Sequence, residues 1–253
     1  MIAQTPPTSR SAESGFTLVE LTVVLVIVAL LSSGLMLGLS GQRDQIQNKE
    51  AQQQLEIVRD ALLGFAMANG RLPCPADPTL GAGGGGEDIQ LCAAARGHAA
   101  PYTCIATDQQ CAREHGVLPW RTLGIQETDV WSNRFTYFVG YEFADPLIKG
   151  EVDAGRRSRF TLDTNGRANI QDSAGNNLAA AIPAVIVSHG PRGAGAYLST
   201  GTQIPGAAGD EAENVDTDLI FIAHTPTENF DDLVTWIIPT VLKSRMVSVG
   251  KLP

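Results

Sequence analysis

The chain has 253 residues, of which 43% are hydrophobic, enough to form one sizeable core or two small ones. Its formal net charge is −9 and its pI is about 4.9, and no stretch of the sequence clusters Lys and Arg. Because phosphate binding requires clustered cations, this composition excludes nucleic acid as the main partner.

The N-terminus combines a polar segment with a long apolar run. Residues 1–15 are polar, and residues 16–39 are apolar apart from one charge, Glu20. A run of 24 residues can span a bilayer with some tilt. It is too long for the core of a secretory signal, and no small-residue cleavage site stands at its end. The pattern predicts a transmembrane segment over residues 16–39.

The junction between these segments reads Gly-Phe-Thr-Leu-Val-Glu-Leu over residues 15–21. This sequence resembles the cleavage and methylation motif of type IV prepilins and pseudopilins. The resemblance implies that a prepilin peptidase/N-methyltransferase removes residues 1–15 as a leader peptide. It would cut between Gly15 and Phe16 and methylate the new amine of Phe16.

Glu20 would be the fifth residue of the mature chain. A carboxylate inside an apolar helix costs about 2.5–3.5 kcal/mol on insertion scales, which favours a partner for it. The resemblance implies that this partner is the N-terminal amine of a neighbouring subunit, so that Phe16 and Glu20 direct assembly. The alternative is that Glu20 lies at the membrane interface, where its carboxylate reaches water.

Residues 40–70 are predicted to continue the helix with amphipathic character. Apolar residues at 51, 55, 58, 62 and 65 recur at intervals of four and three, which places them on one helix face. Asn69-Gly70 is a common helix end, and Pro73 and Pro75 prevent continuation. The sequence therefore predicts one helix from residue 16 to about residue 68, whose second half packs under a globular head.

Four cysteines, Cys74, Cys92, Cys104 and Cys111, follow the apolar run. An even number on one side of a membrane anchor predicts two disulfides in an oxidising compartment. Three pairings are possible, and the sequence does not choose among them. A zinc site is the alternative, which the absence of a C-x-x-C pair disfavours. Residues 74–111 are thus expected to be an irregular region tied by disulfides, with a flexible glycine-rich loop at 81–86.

The head, residues 71–253, is predicted to be α+β, with an antiparallel sheet packed against the long helix as in pilins. Residues 129–137 partly resemble an aspartate–tryptophan–asparagine–aromatic segment of type II secretion pseudopilins. Near the C-terminus, Asn229 or Asp231 is expected to cap a short helix, and a second helix is predicted between Pro239 and Gly250. Strands are predicted at residues 134–143, 159–162, 168–171, 184–188 and 219–223.

Calcium is the one cofactor for which the sequence offers candidate ligands. Major pseudopilins bind calcium in a C-terminal loop, and residues 188–190 and 218–220 resemble the two ends of that loop. Between them lie five acidic residues whose carboxylate oxygens calcium would prefer: Asp210, Glu211, Glu213, Asp216 and Asp218. Of these, Asp210, Asp216 and Asp218 are the candidate ligands. Arg192 stands where an acidic residue is expected, so a solvated acidic loop is the first interpretation and no metal is predicted.

No catalytic constellation is visible in the sequence. Neither H-E-x-x-H nor G-x-S-x-G occurs. Ser188 and His189 are adjacent, and neighbouring residues on a strand point to opposite faces, which argues against a direct Ser–His pair. We therefore expect a protein that is not an enzyme.

The resemblance implies a structural subunit of a type IV pilus or a type II secretion pseudopilus, and the size of the head favours a minor subunit near the tip. It would lie in the bacterial inner membrane with a single span and its C-terminal head in the periplasm. Its partners would be membrane lipid, other pilin or pseudopilin subunits and the inner-membrane assembly platform. The alternatives are a membrane-anchored periplasmic enzyme, and an adhesin or binding module that does not enter a filament.

Overall fold

The structure is a computed structural model that describes residues 17–92 and 105–253. The chain divides into two compact units, Met1–Asn48 and Lys49–Pro253, which are described separately. Helix α1 (Leu18–Asn69) contributes to both.

In the first unit, α1 begins directly after Thr17. The Thr17 hydroxyl accepts a hydrogen bond from the backbone N–H of Glu20 at 3.3 Å, and the Thr17 carbonyl accepts from the N–H of Leu21 at 3.1 Å. The first of these bonds satisfies one of the donors that a helix leaves free at its start, and the second is the first i→i−4 bond of the helix. The apolar side chains between Leu18 and Leu31 are exposed.

Within the described ranges, we find no helix that has both the length and the apolar character needed to cross a membrane.

In the second unit, α1 ends where the sequence predicts. The N–H of Gly70 donates to the Ala66 carbonyl at 2.8 Å, which closes the last turn. Four of the five predicted stripe residues are buried, and Phe65 is half-buried. The stripe packs into the larger core cluster of the unit, so its predicted role in holding the head together is confirmed.

Short elements follow α1 around the head. The strands are β1 (Ile89–Leu91), β2 (Gln109–Cys111), β3 (His115–Val117), β4 (Thr136–Val139), β5 (Ala168–Gln171), β6 (Asn177–Ile182), β7 (Ala184–Ser188), β8 (Ile220–Ile222) and β9 (Leu233–Trp236). The helices are α2 (Trp120–Leu123), α3 (Tyr141–Ala144), α4 (Lys149–Asp153), α5 (Asp210–Glu213) and α6 (Pro239–Ser248).

The strands form three sheets. The largest has the order β3-β4-β7-β9 and is antiparallel throughout. A second sheet has the order β6-β5-β8, in which β5 and β8 are parallel, and β1 pairs with β2. The predicted α+β class is confirmed, while the parallel pair was not anticipated.

The four-stranded sheet separates two layers of core because side chains alternate along its strands. Tyr137 and Ile186 belong to the cluster that contains Leu62 of α1 and Met246 of α6. Phe138, Val185 and Val187 point the other way and pack with Ile170 and Phe221 of the second sheet. The head therefore has three layers: the helices α1 and α6, the four-stranded sheet, and the sheet formed by β6, β5 and β8.

Two of the predicted strands differ from the structure. The strand predicted at 134–143 is limited to β4, because the chain turns at Gly140, whose carbonyl accepts from the N–H of Phe143 at 2.9 Å. The aromatic at 143 is buried from a helical turn, α3, instead of from a strand. No strand forms at 159–162, where the side chain of Arg159 is buried against Glu151.

At the C-terminus, one predicted helix is wrong and the other is confirmed. Residues 233–236 form β9 at the edge of the main sheet, where Val234 pairs with Val187. Pairing with the buried β7 therefore prevails over the local capping pattern at Asn229 and Asp231. Helix α6 begins with Pro239 at its first position and ends before Gly250, as predicted.

Candidate functional sites

The N-terminal motif is described only from Thr17 onward. Gly15 and Phe16, the predicted cleavage and methylation positions, lie outside the described residues. Glu20 lies in the first turn of α1 and is exposed. Its carboxylate makes no hydrogen bond or ion pair with the residues that the structure describes, so it is accessible to a partner from another molecule.

The structure answers part of the question of how the four cysteines pair. Cys74 and Cys111 are linked, with their Cα atoms 5.3 Å apart, and both are fully buried. Cys92 is also disulfide-bonded, whereas Cys104 lies outside the described residues. The structure therefore selects a pairing for Cys74 and Cys111 that the sequence left open.

Arg134 is the centre of a polar cluster near this region. Its side chain is fully buried, and its guanidinium pairs with Glu127 at 2.7 Å and lies 4.5 Å from the ring of Trp120. It also donates to four backbone carbonyls, at distances from 2.7 to 3.4 Å, those of Pro78, Leu80, Gly81 and Ser199. One side chain thus holds three segments that are far apart in sequence.

The glycine-rich loop at 81–86 packs against this cluster. Gly84 and Gly85 are buried, and Gly85 has φ +88°, with a hypothetical Cβ only 2.2 Å from the Trp120 ring. A side chain cannot be placed there without moving the indole, so glycine is required. Gly85 is held against Trp120, and its carbonyl accepts the N–H of Arg121 at 2.9 Å, which the expectation of a flexible loop did not include.

A second buried cluster surrounds Asp129. Its Oδ1 accepts the N–H groups of Trp131 and Asn133, both at 2.9 Å, and its Oδ2 accepts the hydroxyl of Ser188 at 2.6 Å. Asn133 in turn donates to the Gly190 carbonyl at 3.1 Å. Asp129 and Asn133 therefore fasten the turn before β4 to the end of β7 and to the turn that follows it. Burial raises the pKa of the Asp129 carboxyl, opposed by these hydrogen bonds.

Ser188 and His189 do not contact each other through their side chains, as the strand geometry predicts. His189 is instead hydrogen-bonded through Nε2 to the Thr136 hydroxyl at 2.7 Å. Its Nδ1 lies 3.3 Å from Asp232 Oδ1, but the two groups are not aligned for a hydrogen bond. The order Thr136, His189, Asp232 matches that of a hydroxyl, a base and an orienting carboxylate in hydrolases.

The group of Thr136, His189 and Asp232 is enclosed by the fold. The side chains of His189 and Asp232 have no exposed surface, and Asp232 Oδ2 accepts from the amide of Asn214 at 2.8 Å. A substrate cannot approach His189 Nε2 without displacing Thr136. The arrangement acts as a buried polar link between β4, the end of β7 and the start of β9.

The three calcium candidates are divided between two places. Asp210 Oδ2 lies 3.0 Å from Nε2 of His224, whose ring stacks on Phe230. Asp216 and Asp218 approach Glu213, and one carboxylate oxygen from each of these three lies within 4.8 Å of the others. Asp216 and Asp218 are exposed, and Oδ1 of each accepts a backbone N–H of its own segment.

A different acidic group, Glu211, Asp231 and Asp232, is buried and adjoins a cation. One oxygen from each carboxylate lies within 4.8 Å of the others. The guanidinium of Arg192 contacts Glu211 through Nη2 and lies 3.3 Å from Asp231 through Nε. Glu211 is one of the acidic residues of the predicted loop, but the sequence does not show that it meets Asp231 and Asp232, because residues 211 and 231 come together only through the fold. The double aspartate at 231–232, ahead of an apolar strand, was the available signal.

Comparison with known proteins gives one match. Residues 10–36 match the family model of the prokaryotic N-terminal methylation motif, whereas no curated protein and no solved structure matches the chain. The matched residues include Gly15, Phe16 and Glu20. Such a motif implies processing by a prepilin peptidase, membrane anchoring and assembly with other pilins. The chain carries the prepilin-type N-terminal methylation motif, and this supports a type IV pilin-like protein.

Proposed function

We propose that the chain is a non-enzymatic structural subunit of a type IV pilus or a type II secretion pseudopilus, processed between Gly15 and Phe16. The observation that carries this proposal is the methylation motif at residues 10–36. A single-pass anchor in the bacterial inner membrane, with the head in the periplasm, belongs to the same proposal. The disulfide between Cys74 and Cys111 supports it, because disulfides persist in oxidising compartments.

The start of α1 supports assembly through Phe16 and Glu20. Glu20 is the third residue of the helix, where its backbone N–H is already bonded to Thr17 and its carboxylate is exposed. A helix N-terminus also favours a negative charge nearby, so a carboxylate is suited to attract an amine at this position. Exposed apolar side chains surround it from Leu18 to Leu31, and they would be covered by lipid and by neighbouring subunits.

A minor position near the tip is favoured by the size of the head. The mature chain would keep 238 residues, since 253 less the 15 of the leader leaves 238. A large head limits how densely subunits pack around a filament axis, and a subunit at the tip has fewer neighbours to accommodate. The partial resemblance at residues 129–137 favours the pseudopilus over the pilus.

The proposal that the protein is not an enzyme is supported by the burial of its polar clusters. Thr136, His189 and Asp232 have the order of a catalytic triad, yet the imidazole is enclosed and the carboxylate is already bonded to Asn214. Buried networks of this kind fix a unique arrangement of strands. An anchored periplasmic enzyme would require a base that substrate can reach.

The proposal is tested by the variant Glu20→Gln, with Glu56→Gln as the matched control on the exposed surface of the same helix. The amide keeps the size of Glu20 but cannot form an ion pair with an amine. We expect Glu20→Gln to be processed normally but to lose co-purification with other pilin-like subunits, while Glu56→Gln retains it. Unchanged co-purification of Glu20→Gln would favour an anchored adhesin or binding module instead.

A further inference from the structure

The acidic group formed by Glu211, Asp231 and Asp232 contains carboxylate oxygens that receive no hydrogen bond from the residues that the structure describes. Glu211 and Asp232 are each 2% exposed. Oδ1 of Asp231 and Oδ1 of Asp232 are buried and accept no hydrogen bond from the described residues. Three carboxylates so close together repel one another, and burial strengthens this repulsion because the local dielectric constant is low.

An imidazole and one guanidinium adjoin this group. His189, directly after β7, faces Asp232, and Arg192 faces the other two carboxylates from the turn that follows. The backbone N–H of Arg192 donates to Asp231 Oδ2 at 3.0 Å, and its guanidinium reaches both Asp231 and Glu211. Arg192 therefore contacts Asp231 through both its backbone N–H and its guanidinium, and contacts Glu211 through its guanidinium.

The contacts of Arg192 join three separate segments. Glu211 lies on α5, Asp231 lies just before β9, and the N–H of Asp231 donates to Glu211 Oε1 at 3.2 Å. Gly190 approaches the same place with φ +58°, where a hypothetical Cβ would lie 2.4 Å from the Asp231 carbonyl oxygen. The turn after β7 is thus pressed against the segment before β9, and Arg192 places a positive charge at their junction.

This arrangement differs from the calcium loop that the resemblance implies. Asp210 is engaged with His224, and Asp216 and Asp218 form an exposed group with Glu213. The buried carboxylates that are arranged around one point already have a guanidinium between them. The residues present therefore do not fit a resident calcium ion in the wild-type head.

We propose that Arg192 is the built-in cation of the Glu211–Asp231–Asp232 group, and that removing its charge creates a divalent-cation site there. The guanidinium takes the role that a metal ion has elsewhere: it neutralises the buried carboxylates and closes the loops around them. Carboxylate oxygens at this spacing suit calcium, which accepts irregular oxygen ligation. The side chain of Arg192 is 41% exposed, so its removal opens the group to solvent ions.

The experiment compares the full-length mature protein in nonionic detergent with the variant Arg192→Gln, each with EDTA and with millimolar CaCl2. We expect no calcium-dependent change in the melting temperature of the wild type. We expect Arg192→Gln to melt lower in EDTA and to rise by about 5 °C with calcium, the size that saturating binding gives a domain of this length. Arg192→Lys, which keeps the charge, should resemble the wild type.

The double variant Arg192→Gln, Asp231→Asn is the matched control, because it removes one ligand and should lose the response to calcium. A wild type that calcium stabilises as strongly as Arg192→Gln would overturn the proposal, as would an Arg192→Gln protein that calcium does not stabilise. If Arg192→Gln does not fold in EDTA, the yield of refolded protein is compared with and without calcium. Recovery only with calcium supports the proposal, and failure in both conditions contradicts it.

Discussion

Asp129 connects the turn before β4 to Ser188 at the end of β7, and its ionisation should affect stability in a definite direction. Burial raises the pKa of its carboxyl above the ordinary 3.8, so the ionised form is less favourable in the folded protein than in the unfolded chain. The contribution of this group to stability therefore increases as the pH falls through the folded pKa.

The variant Asp129→Asn removes this titration while keeping an oxygen acceptor for the N–H groups of Trp131 and Asn133. We expect the free energy of unfolding of the wild type, minus that of Asp129→Asn, to increase between pH 7 and about pH 4. Urea unfolding at a series of pH values measures the difference. A difference that stays constant or decreases on acidification would show that burial does not govern this carboxyl.

Arg134 should be among the most sensitive residues of the head. Arg134→Met leaves four backbone carbonyls without their donor and breaks the pair with Glu127, and we expect a loss of about 3–5 kcal/mol in the free energy of unfolding. Arg134→Lys should recover only part of this, because an ammonium has three donors and no planar fork. The exposed Arg245→Met serves as the control, with a change within about 0.5 kcal/mol. An Arg134→Met protein as stable as the control contradicts this role.

The sequence allows prediction of residues whose role depends on their neighbours in the chain. Gly15, Phe16 and Glu20 stand in one short motif, and the family match covers that segment. Arg134 was not predicted because its acceptors include Ser199, 65 positions away. Arg192, Glu211 and Asp231 likewise meet only after the strands have paired, so no local pattern marks them as one group.

The disulfide between Cys74 and Cys111 joins the segment that follows α1 to strand β2. The two cysteines are 37 positions apart, and closing a loop of that length lowers the entropy of the unfolded chain by an amount worth about 4 kcal/mol. The double variant Cys74→Ala, Cys111→Ala should lose roughly that much free energy of unfolding in urea. A loss below about 1 kcal/mol would show that the packing of Arg134 and Trp120 holds the region without the bond.

Elements were predicted well where one pattern dominates. The end of α1, the strands β5 and β7, and helix α6 agree with the sequence because periodicity and turn residues coincide there. The helix expected after Asn229 is a strand, since Val234 finds a partner in the buried β7. The long strand expected at 134–143 stops at Gly140, because the chain must turn to bury Phe143 beside α1.

For the whole molecule, the α+β class follows from an amphipathic helix succeeded by short strands, and the structure agrees. The separation into two cores by the four-stranded sheet could not be predicted, because a strand buried on both faces shows no alternation. That is the case for β7, where all five residues are buried. The one functional feature that the sequence showed and the comparison supports is the N-terminal motif at residues 10–36, which supports a type IV pilin-like protein.

The mass of the mature protein tests the central claim most directly. We predict that the chain purified from cells containing a prepilin peptidase lacks residues 1–15 and begins with a methylated Phe16. Replacing Gly15 with a bulky residue, or deleting the peptidase, should leave the leader attached, as measured by intact-mass spectrometry and N-terminal peptide sequencing. A mature mass that neither change alters, or an N-terminus other than Phe16, would contradict the assignment as a processed, pilin-like subunit.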